Sequence, residues 1–209
     1  LTDMKRSLPL LREQLAKTSN PAAQVVLASI LCLYGEKGAA SIVANAVRQE
    51  KGWDEGWHYT GMGQFGMCMS RLDALVMALG NAKDPASLAV ILEKARLLCP
   101  EDYFSHYRAI SEAAEAIGSK EAVPTLAMLL TAPGVRCHSL KDYVEARREA
   151  VPDMNDTSTR NMALKELHLA RALYLCGDKE GIGKAVLERY AKGLQGHYAR
   201  YAYEVLQGK

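Results

Sequence analysis

The sequence predicts an all-α protein made of stacked helix pairs, and two observations support that prediction. Apolar residues recur at helical spacing, whereas no long stretch alternates apolar and polar residues as a half-exposed strand does. Four segments also share one pattern, which is an apolar run, a glycine turn and a second apolar run. Because a helix pair cannot bury its apolar face alone, we expect such units to stack into an α-α superhelix, or solenoid.

The first helix of each unit is predicted to end at a glycine, which accommodates the left-handed conformation that closes a helix. The four segments are residues 28–47, 75–95, 113–130 and 169–190, and their glycines are Gly35, Gly80, Gly118 and Gly177. We therefore expect about four to five helix pairs in a single domain that covers residues 1–209.

The second helix of each unit has its own start signals and its own apolar face. Asp84 precedes Pro85, which predicts an N-cap followed by proline at the first helical position. Pro124 lies near the start of another run, where a missing N–H costs little. The predicted core residues are Leu88, Ile91, Leu92 and Ala95 in the second segment, and Leu126, Leu129 and Leu130 in the third.

The third segment, AAEAIGSKEAVPTLAMLL (113–130), resembles a HEAT-like repeat. In that repeat an alanine-rich first helix and a short glycine turn precede an AVPxL sequence that opens the second helix. The other three segments are looser copies of this pattern. The resemblance implies a HEAT-like α-α superhelix over most of the chain, and such degenerate repeats say little about function.

The composition is that of an ordinary globular protein. Hydrophobic residues make up 49% and charged residues 24% of the chain, and no stretch approaches the roughly 18 apolar residues of a membrane span. The net charge is only +2, and the basic pair Arg147 and Arg148 lies between glutamates. Nucleic-acid binders usually concentrate basic residues on one face, so nucleic acid is disfavoured as a partner. We expect a soluble protein of the cytoplasm or periplasm.

The cysteines and histidines predict neither a disulfide framework nor a metal site. The five cysteines are scattered without a CxxC pair, and Cys32, Cys99 and Cys176 fall within apolar runs. Free cysteine behaves as a small buried hydrophobe, so we expect buried thiols. No histidine belongs to an HxxxH or HExxH pattern.

Two long connections interrupt the repeats, an aromatic, glycine-rich insertion at residues 50–70 and a second segment at 131–157. Such insertions form loops and often carry function. The first contains Gly61-x-Gly63-x-x-Gly66, which is the spacing of the dinucleotide-binding fingerprint. That fingerprint follows a hydrophobic strand, but here the polar and aromatic residues GWDEGWHYT precede it. We therefore predict that this chain forms no dinucleotide site of its own.

We assign no catalytic, cofactor-binding or metal-binding residue, but the insertion supplies a candidate recognition loop. Its members are Trp53, Asp54, Glu55, Trp57, His58, Tyr59, Gln64 and Phe65. Two interpretations stay open and are compatible. The rings and glycines could fill and turn an irregular loop. They could also bind a partner, because tryptophan and tyrosine dominate binding hot spots.

The segment GWDEGWHYTGMGQFGMCMSRLDALVMALG (52–80) resembles part of the C-terminal helical region of bacterial FAD-dependent oxidoreductase-like proteins. In those proteins a Rossmann-type flavin domain is followed by a helical, repeat-like tail. The resemblance implies that this chain is a fragment of a longer protein whose other domain binds FAD. Leu1 is not methionine, which agrees with that expectation. The first hypothesis is therefore a non-catalytic interaction or scaffold module that contacts a protein partner or a neighbouring catalytic domain.

The second hypothesis is a stand-alone HEAT-like enzyme such as a DNA glycosylase. In that case Trp53, Asp54 and Trp57 would hold a damaged base. The weak net charge argues against the phosphate contacts that such an enzyme needs.

Two further features concern the C-terminal part of the chain. Asp156, Thr157 or Ser158 is the predicted N-cap of a long helix. The final helix carries Tyr198, Tyr201 and Tyr203, which is typical of a terminal capping helix. Stacking of bases or sugars on these rings is the alternative interpretation.

Overall fold

The computed structural model describes residues 4–59, 69–136, 157–193 and 196–208. Within those ranges the chain is all-helical and contains no strand, which confirms the prediction of an all-α protein. The α-helices of the described ranges are α1 (Met4–Lys17), α2 (Pro21–Leu33), α3 (Ala40–Gln49), α4 (Arg71–Ala82), α5 (Leu88–Ala95), α6 (Phe104–Ile117), α7 (Val123–Thr131), α8 (Ser158–Leu175), α9 (Ile182–Gly193) and α10 (His197–Leu206).

The helices contact one another in a regular order. α2 packs against α4, α4 against α6, and α6 against α8, so that these four form one row. α3, α5 and α7 pack against α4, α6 and α8 respectively, and α9 joins α8 to α10. One continuous apolar core runs from Ala28 in α2 to Val205 in α10.

Three of the helix pairs share the same turn. A single 3₁₀ turn leads directly into the second helix at Lys37–Ala39, Pro85–Ser87 and Lys120–Ala122. As predicted, the Asp84 carboxylate caps its turn, accepting a hydrogen bond from the Ala86 N–H at 3.1 Å. The predicted core residues of α5 and α7 are all buried. These local elements follow from the sequence pattern because each depends on neighbouring residues alone.

Gly35, Gly118 and Gly177 have positive φ angles of 84°, 69° and 121°, as their predicted role requires. Gly80 does not close its helix, and that prediction was wrong. It lies inside α4, where a Cβ atom would be 2.3 Å from the Ala113 Cα of α6. The left-handed position after α4 is occupied by Lys83, with φ at 51°. Gly80 is therefore needed for the close crossing of two helices.

Two of the cysteines that were predicted to be buried are so. Burial raises the pKa of the Cys32 thiol and of the Cys176 thiol to about 11. Cys99 is exposed, so the prediction for it was wrong. It lies in the turn after α5, and its thiol is 3.3 Å from the Asp102 carboxylate, to which it donates. Cys68 and Cys137 lie outside the described residues.

The described part of α8 begins as predicted, with Thr157 at the N-cap position, whereas Asp156 lies outside the described residues.

Across the ranges that the structure covers, no helix has both the length and the apolar character to cross a membrane.

Candidate functional site

Residues 53–59 form an irregular segment, here called the strap, which crosses the first turns of three helices. At α4 the Asp54 carboxylate accepts a hydrogen bond from the Leu72 N–H at 3.1 Å. At α6 the Trp57 N–H donates to the Ser105 hydroxyl at 2.9 Å, and the Ser105 N–H donates back to the Trp57 carbonyl at 3.2 Å. The strap is thus fixed by hydrogen bonds to helix ends, where backbone N–H groups lack intrahelical partners.

The end of the strap is fixed to α8 through Tyr59. The Tyr59 N–H donates to Asn161 Oδ1 at 2.9 Å, and the Asn161 amide returns a hydrogen bond to the Tyr59 carbonyl at 3.0 Å. The Thr157 hydroxyl donates to the same carbonyl. The position of Tyr59 is therefore determined by the first turn of α8.

A buried histidine and aspartate lie beneath the strap. His106 Nδ1 is 2.6 Å from Asp73 Oδ1, and His106 Nε2 is 3.1 Å from the Asp54 carbonyl oxygen. A carbonyl oxygen and an ionised carboxylate can only accept hydrogen bonds. Both ring nitrogens of His106 must then donate, so the ring is a doubly protonated imidazolium. It joins α4, α6 and the strap at one point.

The surroundings of Asp73 keep its carboxylate ionised. Burial raises the pKa of Asp73, but hydrogen bonds from His106, Ser105 and the Ser70 N–H, with the charge of His106, outweigh that effect and hold it below its ordinary value. Ser70 and Asp73 also form a capping box at the start of α4. The same carboxylate therefore begins a helix and holds the charged ring.

Contacts of Trp53 and Gly56 also hold the strap against the helices. The Trp53 ring stacks on His106 with centroids 4.3 Å apart and planes at 27°, and its indole N–H donates to the Lys94 carbonyl at 3.2 Å. At Gly56 a Cβ atom would be 2.4 Å from Tyr103 Cβ and 2.7 Å from the His106 ring. Only glycine allows the backbone to approach the imidazolium this closely.

The remaining members of the candidate recognition loop occupy different surroundings. His58 stacks on Tyr103 at 4.4 Å, and its Nδ1 accepts from the Phe104 N–H at 2.8 Å. Burial, Lys165 and His106 lower the pKa of His58 to about 4. Trp57 meets the Tyr59 ring edge-on at 4.5 Å. Glu55 is exposed, and Gln64 and Phe65 lie outside the described residues.

Tyr59 also forms one wall of a cleft that the sequence did not reveal. A cavity of about 680 Å³ lies between α8 and α10, and a smaller one of about 290 Å³ lies between α6, α8 and α10. His168 and Tyr201 line both cavities. The two together are called here the tyrosine cleft, because Tyr59, Tyr198 and Tyr201 line its larger part.

Two arginines lie on aromatic faces in this cleft. The Arg160 guanidinium lies 3.4 Å from the centroid of the Tyr59 ring. The Arg171 guanidinium lies 5.6 Å from the centroid of Tyr201 and binds both carboxylate oxygens of Glu115, at 2.8 and 2.7 Å. The attraction between a cation and the face of an aromatic ring helps to hold each guanidinium in place.

The floor of the cleft is an uncharged imidazole. Burial, assisted by the charges of Arg108 and Arg171, lowers the pKa of His168 to about 4. Within the described part of the chain, no group forms a hydrogen bond with its ring nitrogens. Sequence inspection missed His168 because its neighbours in the cleft come from α6 and α10, which are distant in the chain.

The glycine fingerprint lacks the context that a dinucleotide site needs. The described residues in front of it form the strap rather than a strand, and Gly61, Gly63 and Gly66 themselves lie outside the described residues. In the part of the chain that the structure covers, no three or more His, Cys, Asp or Glu side chains converge on a metal position.

Comparisons of the chain with protein-family models, with curated proteins and with solved structures find no match. Function must therefore be inferred from the residues of the strap and the cleft.

Proposed function

We propose that this chain is a non-catalytic interaction module of HEAT-like helix pairs, which forms the C-terminal region of a larger FAD-dependent oxidoreductase. The order of helix contacts supports a repeat architecture, since α2, α4, α6 and α8 each pack on the next in the row. The shared 3₁₀ turns before α3, α5 and α7 support it further. In this proposal the FAD belongs to the neighbouring domain.

One observation carries the non-catalytic assignment: the polar groups of Trp53 and Asp54, the strap residues that a base-binding site would need, are bound within the chain. The Asp54 carboxylate binds the Leu72 N–H, and the Asp54 carbonyl binds His106. The Trp53 indole binds the Lys94 carbonyl. A catalytic acid or base must reach a substrate proton, and these groups are engaged in positioning the strap instead.

The glycine-rich stretch 60–68 is the part of the insertion that we assign to the partner. It connects Tyr59, which is fixed to α8, with the segment that leads to Ser70, the N-cap of α4. The proposal follows from the sequence of this stretch, in which three glycines accompany Gln64 and Phe65. This assignment gives the glycines a role in contact with a partner rather than in pyrophosphate binding.

The experiment is to isolate the native protein from source cells with an antibody raised against this chain. We expect a polypeptide several times heavier than 22.9 kDa, with the visible absorption of a bound flavin. Limited proteolysis should then release a colourless helical fragment that contains the strap. A native polypeptide near 22.9 kDa without flavin would overturn the proposal.

A stand-alone HEAT-like DNA glycosylase remains the alternative proposal. It would require the Asp54 carboxylate to leave the Leu72 N–H, and Trp53 to leave the His106 ring. Tight, salt-sensitive binding of duplex DNA by the isolated chain would favour this enzyme, since phosphate contacts release counterions.

A further inference from the structure

We propose that the tyrosine cleft binds a small, flat aromatic molecule that carries one anionic group. The inference goes beyond the interaction module and does not depend on it. The larger cavity has a volume of about 680 Å³, and small-molecule sites generally span roughly 300–1,000 Å³. The cleft is thus large enough to enclose a ligand of the size of a mononucleotide.

The aromatic walls define the first requirement of the ligand. Tyr59 lines the larger cavity from the strap, and Tyr198 and Tyr201 line it from α10. Burial raises the pKa of Tyr198 and of Tyr201, so both phenols keep their protons and stay uncharged near neutral pH. Neutral aromatic faces favour a flat ring that stacks on them.

Arginine defines the second requirement, which is the negative charge. Of the described residues that line the larger cavity, Arg160 alone carries a permanent charge. Among the described residues no carboxylate forms an ion pair with it, whereas Arg171 in the smaller cavity is paired with Glu115. A single anionic group on the ligand would complement Arg160, whose planar fork suits carboxylate and phosphate alike.

His168 defines the third requirement, which is that the aromatic ring of the ligand carries a polar atom on its edge. Because its pKa is about 4, its imidazole is neutral at physiological pH and presents one N–H donor and one nitrogen acceptor. No described group uses either of them, and the ring borders both cavities. A ring nitrogen or hydroxyl of the ligand would form the hydrogen bond that the protein leaves open.

Two sources supply this chemistry, a nucleoside monophosphate and an aromatic carboxylate. The test is isothermal titration calorimetry of the full chain with AMP and with 4-hydroxybenzoate. Adenosine and methyl 4-hydroxybenzoate are their uncharged counterparts. We expect at least one of the two anions to bind with a Kd below about 1 mM, and its uncharged counterpart to bind about tenfold more weakly. Tighter binding of AMP identifies a nucleotide, and tighter binding of 4-hydroxybenzoate identifies a carboxylate.

Variants connect that binding to the cleft. Arg160→Gln should weaken binding by about tenfold or more, and Arg160→Lys, which keeps the charge but loses the planar fork, should weaken it less. His168→Phe should weaken it about fivefold through the lost hydrogen bond. Arg200→Gln is the matched control, because Arg200 is exposed on α10 and pairs with Glu204 at 3.1 Å without lining the cleft.

Three results would overturn the proposal. The first is that neither anion binds to the folded chain. The second is that the uncharged counterparts bind as tightly as the anions. The third is that Arg200→Gln weakens binding as much as Arg160→Gln does.

Discussion

Replacement of His106 by leucine tests the strap most directly, because this imidazolium joins the strap, α4 and α6. The substitution removes the donor to Asp73, the donor to the Asp54 carbonyl and the ring on which Trp53 stacks. Asp73 is fully buried, and removal of one partner from a buried ion pair costs about 3–5 kcal/mol. Ser70 and Ser105 still hydrogen-bond to Asp73, so we expect the lower end, about 3 kcal/mol.

Urea denaturation followed by circular dichroism measures this loss of unfolding free energy. Trp53 and Trp57 are the only tryptophans of the chain, and both lie in the strap, so native-state tryptophan emission reports the strap alone. We expect His106→Leu to change that emission as well as the stability. Asp73→Asn in the same background removes the orphaned charge, and the double variant should therefore lose at least about 1 kcal/mol less than the sum of the single variants.

The matched control is His197→Leu, because His197 is exposed and its replacement should change the stability by no more than about 0.5 kcal/mol. The charged-clamp argument would be refuted if His106→Leu lost less than about 1 kcal/mol and left the tryptophan emission unchanged.

Three further predictions concern other parts of the fold. Gly80→Ala should lower the unfolding free energy by about 1–3 kcal/mol through the clash with Ala113, whereas Gly38→Ala, with open space around it, should be nearly neutral in the same thermal denaturation. Folding lowers the pKa of His58 and of His168 to about 4, so between pH 6.5 and 4 the unfolded state binds protons at these residues that the folded state does not. The unfolding free energy should therefore fall as the pH falls through this range, and His168→Phe should flatten that pH profile. Tyr190→Phe should cost about 1–3 kcal/mol in urea denaturation by removing the hydrogen bond to the buried Glu166 carboxylate, which is 2.6 Å long.

The local sequence predicts those elements whose cause lies within a few residues. Pro85 after Asp84 marks a turn wherever the rest of the chain lies, and the spacing of Leu88, Ile91 and Leu92 marks one helix face. The role of Gly80 could not be predicted in the same way. Its cause is Ala113, a residue on another helix, and only the packing of α4 on α6 brings the two together.

The residues of the candidate site likewise differ in whether the local sequence reveals their role. Its aromatic members, such as Trp53 and Tyr59, were predictable because ring density in a glycine-rich insertion is visible in the sequence. The role of His106 was not, since its partners Asp73 and Asp54 are distant from it in the chain. In the fold its partner Asp73 both caps α4 and pairs with His106. The sequence offered Tyr198 and Tyr201 as a possible stacking surface, but it did not place Tyr59, Arg160 and His168 beside them, because the cleft forms only where three helices and the strap meet.

The strap and the tyrosine cleft are structurally connected, since Tyr59 belongs to both. Its backbone is fixed by Asn161 and Thr157, and its ring contacts Trp57 edge-on and lies beneath the Arg160 guanidinium. The position of Tyr59 as a wall of the cleft therefore depends on the same helix ends to which the strap is hydrogen-bonded. An irregular segment normally carries too few contacts to place a ring accurately. Here the hydrogen bonds to α4, α6 and α8 supply that accuracy, which is why the strap, although it is irregular, can form a wall of the tyrosine cleft.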